Sequence, residues 1–246
     1  MTVRKRGFYE KVIKRLLDLL LALLTVVLLS WLYLILAVLV RVKMGSPVIF
    51  RQPRPGLIDP KTGSEKIFSM YKFRTMTDGK DAAGNLLPDE ERLTAFGRFL
   101  RGTSLDELPE MFNILRGDMS LVGPRPQLVR DMVFMDERVR RRHTAKPGLT
   151  GLAQISGRNA IGWEQKFAYD LQYIEKITFA GDFAIVMKTI LKVFGKKESS
   201  SELDVTDDYG DALLKAGRIT REEYEAKQAE ARELLHETSD TGLYSV

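Results

Sequence analysis

A mostly helical α+β fold with an N-terminal membrane helix is predicted by three observations. The first is the run from Leu16 to Val40, whose only charge is Asp18. The second is a pair of strand-like segments, Pro47-Val48-Ile49-Phe50 and Lys66 to Phe73, separated by a Pro-rich turn through Pro53, Pro55 and Gly56. The third is the succession of apolar residues at three- and four-residue spacing that starts at Asp89 and continues into the C-terminal tail.

The membrane helix comes first. From Leu19 to Val40 stand 22 uncharged residues, which as helix extend ~33 Å, enough to cross a bilayer core. A secretory signal has a shorter apolar core and an A-x-A cleavage pattern, and neither is seen here. Both flanks are basic: Arg4, Lys5, Arg6, Lys11, Lys14 and Arg15 precede the run, and Arg41, Lys43, Arg51 and Arg54 follow it. The positive-inside rule therefore assigns no orientation. A re-entrant helix with both ends on the cytoplasmic face satisfies both flanks if the helix breaks near its middle. Ser30, beside Trp31 and Tyr33, is placed for that, since serine can bond back to a carbonyl one turn earlier and bend a helix. A single spanning helix is the alternative.

Past the strand pair, Asp78 to Pro88 is polar and contains glycine, so it reads as a loop. Asp89 to Arg101 has helical spacing through Leu93, Phe96, Phe99 and Leu100 and stops at Gly102. Thr103 to Leu115 opens a second helix with a Ser/Thr cap. Arg116 to Pro126 is a Gly/Pro loop, Gln127 to His143 an amphipathic helix, and Lys146 to Gly157 a glycine-rich connection. Trp163 to Ile174 and Asp182 to Phe194 are further helices; the latter interleaves Phe183, Ile185, Val186, Ile190 and Leu191 with Lys188 and Lys192. That pattern suits either the membrane interface or an ordinary core. After Lys197 a serine-rich, acidic linker leads to a helical hairpin. Asp208 to Ala216 is its first helix, and Thr220 with Glu223 forms a capping box at the start of its second. The chain thus divides into 1–42, the basic lead-in and membrane helix; 43–198, the small cytosolic domain; and 199–246, the linker and hairpin.

Composition narrows the chemistry. The chain has 246 residues, no cysteine, two histidines (His143 and His236) and a net charge of +5. Disulfides, thiolate nucleophiles and cysteine metal sites are excluded, and zinc catalysis or a Ser-His triad is poorly supplied. Neither G-x4-G-K-[ST] nor G-x-G-x-x-G occurs. Positive charge fits an anionic membrane surface, phosphate-bearing substrates or nucleic acid alike.

Carboxylates, arginines and glycines converge between Arg101 and Arg125. Asp106 and Glu107 are adjacent acids at a helix start, where the helix dipole favours negative charge. Ser104-x-x-Glu107 is also a capping box, so a purely structural role is equally compatible with the local sequence. Arg101, Arg116 and Arg125 could supply forked donors for a diphosphate, with Pro124 and Pro126 holding the backbone around Arg125. A carboxylate pair beside such a cluster is what magnesium-dependent attack on a diphosphate requires, one acid as nucleophile and the other as ligand of Mg2+.

Several motifs in order carry a family resemblance: Tyr71-Lys72-Phe73-Arg74-Thr75-Met76, Ser104-Leu105-Asp106-Glu107-Leu108-Pro109, Gly117-Asp118-Met119-Ser120-Leu121-Val122-Gly123-Pro124-Arg125-Pro126 and Lys146-Pro147-Gly148-Leu149-Thr150-Gly151. Over roughly residues 8 to 197 the chain resembles the bacterial sugar transferases, the monotopic phosphoglycosyl transferases. In length and in Gly157-Arg158-Asn159-Ala160 it is most similar to small members of the undecaprenyl-phosphate N,N'-diacetylbacillosamine 1-phosphate transferase type. The resemblance implies that Asp106 attacks the β-phosphate of a UDP-sugar, releasing UMP, and that undecaprenyl phosphate then collects the phosphosugar. It implies Mg2+ bound through Glu107 with Asp106, phosphates held by Arg101, Arg125, Arg74 and Arg158, and Asp170 as a further polar residue of the substrate site. It also implies a re-entrant helix at the bacterial inner membrane, with the catalytic domain on the cytoplasmic face. The family commonly breaks that helix at Ser-Pro, whereas here Trp31 follows Ser30.

No motif reads the sugar. The tail resembles the short helical hairpins appended to bacterial membrane proteins, and reads either as an element for a protein partner or a homo-oligomer or as a merely solvated appendage. The reading of a different class is a catalytically silent membrane adaptor that binds anionic lipid and partner proteins. A nucleic-acid binder would leave the hydrophobic run without purpose, so no nucleic-acid partner is expected.

Overall fold

The apolar run of the N-terminus does not fold as one rod. In the computed structural model, which describes residues 4–157, 161–195 and 207–240, a π-helical turn Tyr9–Ile13 leads into α1, Lys14–Leu28, and α2 follows as Ser30–Met44. The axes bend by 65° at Leu29, whose φ of −99° and ψ of 12° depart from the helical values on either side. The side-chain bond back to a preceding carbonyl is made by Thr25, whose Oγ1 donates to Leu21 O at 2.8 Å. Ser30 is exposed and has no such bond among the described residues. Gly45, at φ 82°, ends α2 behind Arg41 and Lys43, whose charges suit the helix C-terminus. Among the described residues no single helix is long and apolar enough to cross a membrane; the bent pair together is.

Both limbs of the bend are built into the rest of the chain. Ala22 of α1, fully buried, packs in a cluster with Phe68, Met70, Met111, Ile114 and Met119. Leu36 and Val40 of α2 join Phe73 and Leu100. Asp18, the one charge in the apolar run, accepts the Leu121 N–H at 3.0 Å. The opposite faces stay bare: Leu16, Leu20, Leu24, Val27, Trp31 and Leu34 are all at least 48% exposed, an apolar expanse that in water needs a cover.

β1, Ile49–Ile58, pairs antiparallel with β2, Glu65–Phe73. The expected Pro-rich turn is therefore strand: Pro53 faces Ser69 and Pro55 faces Ile67, with a register shift between Pro55 and Ile58. In a two-stranded sheet each strand has an open edge, where a residue without N–H breaks no ladder bond. A loop follows, then α3, Asp89–Arg92, and α4, Ala95–Gly102. The single helix expected here is split because Thr94 caps α4, its side chain accepting from Gly97 N–H at 2.9 Å.

The helix expected over Thr103 to Leu115 is also split. A 3-10 turn, Leu105–Glu107, precedes α5, Glu110–Arg116, with Pro109 between them. Ser104 sits in the left-handed region at φ 55° and caps nothing. β3, Ser120–Val122, pairs parallel with β4, Gly148–Thr150. Between them the expected long helix is replaced by α6, Val129–Met132, α7, Glu137–Arg140, and a 3-10 turn, Arg141–Thr144, because Asp136 starts a new cap on Val139 N–H at 2.7 Å. α8, Leu152–Ser156, α9, Trp163–Glu175, and α10, Phe179–Gly195, complete the domain.

α10 is apolar on two sides. Ile185 is buried against Val122, Tyr173 and Ile174, whereas Phe179, Phe183, Met187 and Leu191 are exposed at helical spacing. Lys14 of α1 reaches back to Asp182 at 2.6 Å, which ties the two exposed apolar surfaces together. The tail forms α11, Tyr209–Lys215, and α12, Arg221–Asp240. Its capping box is present in both directions, Glu223 N–H to Thr220 Oγ1 at 3.1 Å and Thr220 N–H to Glu223 Oε2 at 2.8 Å. The hairpin folds back on the domain: Leu234 and Leu235 pack on Ile67, Val129 and Met132, and Phe134 stacks on Tyr224.

Candidate active site

The acids at 106 and 107 are placed by α5 and β2. Asn113 of α5, fully buried, accepts the Tyr71 N–H at 3.0 Å and donates to Ser69 O at 2.6 Å, so its amide completes the edge of β2. That lock sets Lys72 of β2 against the turn that carries the acids. Lys72 Nζ donates to Glu107 Oε1 at 2.8 Å and lies 3.3 Å from Glu110 Oε1. Arg125 Nη2 donates to the same Glu107 oxygen at 2.9 Å. The capping-box role for Glu107 is thereby overturned, because its carboxylate is turned into this cluster and Ser104 offers no cap.

Arg125 is held from behind through its backbone. Arg142 and Asp170 are buried, with Arg142 Nε and Nη2 at 2.9 and 2.6 Å from Asp170 Oδ2. The same Arg142 Nη2 donates to Arg125 O at 2.6 Å, and Arg54 Nη1 donates to Pro126 O at 3.1 Å. The loop backbone is fixed further by close approach of glycines. A Cβ on Gly123 would stand 2.3 Å from Lys146 O, and one on Gly148 would stand 2.0 Å from Gly123 N, so only glycine permits this crossing of β3 and β4.

Charge separates the three acids. Burial raises the Asp106 carboxyl to about 6, with Lys72 opposing and the Glu107 charge reinforcing the rise. Burial would raise Glu107 as well, but the charges and hydrogen bonds of Lys72 and Arg125 outweigh it and hold Glu107 below the usual carboxylate range. Glu110, again mainly through burial, is pushed up to about 7. The Glu107 carboxylate raises the Arg125 guanidinium above its ordinary value. Burial lowers Arg54 to about 10, helped by the like charge of Arg125. Asp106 is the distinctive member: it is buried, yet among the described residues its carboxylate has no hydrogen bond or ion pair. An ionised carboxylate without a partner is a reactive group, because nothing already occupies its lone pairs.

The remaining residues singled out in the sequence fall in different places. Arg101 is near, its Nε donating to Thr75 Oγ1 at 3.1 Å. Arg74 is anchored to backbone, donating to Met76 O at 2.8 Å and Ser46 O at 2.6 Å, and bridges Asp78 at 2.5 Å. Asp170 lies behind the Arg125 loop, bound to Arg142. Arg116 bonds the Tyr71 hydroxyl and lies over its ring. Arg158 lies outside the described residues. Sequence reasoning missed Lys72, Glu110 and Arg54, which meet the cluster only through the β1–β2 pairing and the packing of α5. Lys72 stood within a quoted motif; nothing local marked it as the counter-charge of Glu107.

Acids and cations against bare apolar helices suit an enzyme that handles anionic groups at a membrane, and comparison with known proteins gives its class. Residues 9–196 match the bacterial sugar transferase family, and the chain belongs to that family. It is 50% identical over 182 residues to the uncharacterized sugar transferase EpsL of Bacillus subtilis, covering 74% of this chain and 87% of that protein. It is 38% identical over 198 residues to a UDP-glucose:undecaprenyl-phosphate glucose-1-phosphate transferase of Klebsiella pneumoniae, covering 76% of this chain and 41% of that one. An undecaprenyl-phosphate galactose phosphotransferase of Salmonella typhimurium is 40% identical over 162 residues, which are 59% of this chain and 33% of the relative. The chain thus spans less than half the length of the latter two. Membership of a family of sugar transferases replaces the reading of a catalytically silent adaptor with that of an enzyme.

Proposed function

We propose that the protein transfers a sugar 1-phosphate from a UDP-sugar to undecaprenyl phosphate through a covalent aspartyl intermediate. The observation that carries this reading is the buried Asp106 carboxylate without a partner, next to a Glu107 already engaged by two cations. In the first step an Asp106 oxygen bonds to the β-phosphorus of the donor. The bond from that phosphorus to the bridging oxygen breaks, and UMP leaves with the oxygen and its electron pair. In the second step the phosphate oxygen of the polyprenyl acceptor attacks the same phosphorus and returns the carboxylate. Lys72, Arg101 and Arg125 reduce the repulsion between an anionic nucleophile and a diphosphate.

Magnesium is part of the same proposal, with Glu107 and Asp106 as its protein ligands. Among the described residues no group of three or more acids or histidines that could hold a metal is found, so magnesium here would have to draw most of its shell from substrate phosphates and water. Glu107 Oε1 takes both cations, leaving Oε2 without a hydrogen bond among the described residues. Mg2+ held there would neutralise phosphate charge. Arg158 belongs to the same proposal as a phosphate-binding side chain.

The 65° bend and the attachment of both limbs to one domain support a re-entrant anchor, with both ends on the cytoplasmic face of the bacterial membrane. The bare faces of α1, α2 and α10 then lie in lipid, and donor and acceptor meet at the interface. Incubation of detergent-held protein with Mg2+ and a panel of UDP-sugars, without acceptor, tests the mechanism through UMP release and intact mass. An adduct of one phosphosugar that is absent in Asp106→Asn is expected. UMP release without any adduct, or an adduct that persists in the variant, rules the aspartyl route out.

A further inference from the structure

A second cationic cavity lies at the far end of α5. It holds about 170 Å³ and is enclosed by the start of α1 and by β3 and the segment before β4. Its wall carries five bases against two acids, and it shares no residue with the carboxylate cluster. One of the acids, Glu10, is engaged by Arg4 at 2.6 Å, and the other, Asp18, by the Leu121 amide. The side chains of Arg6, Lys11 and Lys146 have no hydrogen bond or ion pair among the described residues.

Two details point to an anion. Ser120 is 1% exposed, lines the cavity, and its Oγ has no hydrogen-bond partner; a buried hydroxyl in that condition costs about 1–3 kcal/mol unless a ligand or water satisfies it. Arg15 and Lys146 are also close neighbours on the wall: a Cβ on Gly117 would stand 3.3 Å from Arg15 Nη2 and 3.5 Å from Lys146 Nζ, with Arg15 donating as well to the Ile114 and Leu115 carbonyls. Burial and the Arg15 charge lower the Lys146 ammonium, against the opposing pull of Asp18 and Asp118.

The surroundings select the kind of anion. Phe8, Val12, Ile13 and Leu16 are exposed on the same stretch of helix, and Val122, Ala145 and Tyr173 add apolar wall. A bare phosphate ion needs none of this.

We propose that the cavity binds the phosphate of an anionic glycerophospholipid, at a site separate from the catalytic carboxylates. This rests on the reading of α1 and α2 as lipid-embedded. The Ser120 hydroxyl and the Lys146 ammonium donate to phosphate oxygens, Arg15 adds charge, and the acyl chains run along the exposed face of α1.

The test uses the full chain, purified in a neutral detergent. Short-chain phosphatidylglycerol, short-chain phosphatidylcholine and inorganic phosphate are titrated separately, with thermal unfolding as the readout, for wild type, Lys146→Gln and Ser120→Ala. Phosphatidylglycerol should stabilise the wild type at concentrations at which the other two do not. Lys146→Gln should weaken that response at least tenfold and Ser120→Ala severalfold; if Lys146→Gln does not fold, Ser120→Ala decides. Equal responses of wild type and Ser120→Ala, an equal response to phosphatidylcholine or inorganic phosphate, or displacement of the lipid by undecaprenyl phosphate would each overturn the proposal. Flotation of all three proteins with neutral vesicles checks the embedding separately: co-flotation with no phosphatidylglycerol response sinks this site alone, whereas failure to float sinks the anchor reading first.

Discussion

Lys72→Met removes the ammonium that joins Glu107 to Glu110 while keeping the length of the side chain. Breaking a buried ion pair by deleting one partner costs about 3–5 kcal/mol. The side chains of Lys72 and Glu107 are 16% and 18% exposed and that of Glu110 4%, so solvent screens part of the effect and about 2–3 kcal/mol is expected. For a chain of this size that is a fall in Tm of about 5–10 °C. The chemical consequence is separate. Asp106, at about 6 in the wild type, loses the cation that most opposes its burial, so its carboxyl moves up toward neutrality. On the proposed aspartyl route the nucleophile must be ionised, so the acid limb of adduct formation shifts upward with it. Intact mass after single-turnover mixing with the donor, between pH 5 and 8 and without acceptor, reads that limb directly, and thermal unfolding in the same detergent reads the stability. An unchanged Tm together with an unchanged acid limb would refute the idea that Lys72 organises the carboxylates.

Other outcomes follow from the same geometry. His143 is lowered to about 4, mainly by burial, although its Nδ1 lies 2.9 Å from Glu65 Oε1. The unfolded chain therefore takes up this proton first, and stability present above about 6.5 is lost as pH falls toward 4, by up to about 3 kcal/mol; pH-dependent denaturation of His143→Gln should show a flatter slope in that window. Gly123→Ala forces a methyl group against Lys146 O and Gly148 N; at about 3 kcal/mol or more it should lower Tm and slow adduct formation, and wild-type behaviour in both would show that the crossing can relax. Tyr33→Phe deletes the 2.6 Å hydrogen bond to Leu108 O while leaving the Phe73 and Phe112 ring contacts. A loss of about 1 kcal/mol is expected by thermal unfolding, with adducts still formed.

What was legible in the sequence was local. The tail capping box, β2, α9 and the extent of the apolar run each depend on residues within a few positions of one another. Misreadings arose where a distant partner decided the outcome. The prolines of β1 look like turn residues until β2 supplies a partner that leaves their nitrogens on an open edge. The two long helices expected at 103–115 and 127–143 have continuous apolar periodicity, but Pro109 and the Asp136 cap restart the chain within them. Asp106 and Glu107 stood out as adjacent acids, yet nothing nearby in the sequence distinguishes the partnerless carboxylate from the one held by Lys72, 35 positions away. Asp18 looked like a blemish in a hydrophobic run; its explanation lies 103 positions further on, at the Leu121 amide.

The grip of α1 on the catalytic domain turns the anchor into a gauge of height. Lys14, Arg15 and Asp18 clasp Asp182, the carbonyls of Ile114 and Leu115, and the Leu121 amide in turn, and Ala22 seals the seam below them. A helix fastened at so many points cannot swivel beneath its cargo. With α1 in lipid as proposed, its leucines settle at the depth their hydrocarbon demands, and the carboxylates ride at a fixed elevation above the acyl chains, as a draught mark rides with a hull. Shaving Leu16, Leu20 or Leu24 to alanine should therefore alter how the enzyme meets a lipid-borne acceptor while leaving its encounter with a water-borne donor untouched. Cutting the helix away would not free a soluble enzyme; it would pull a wall out of the core.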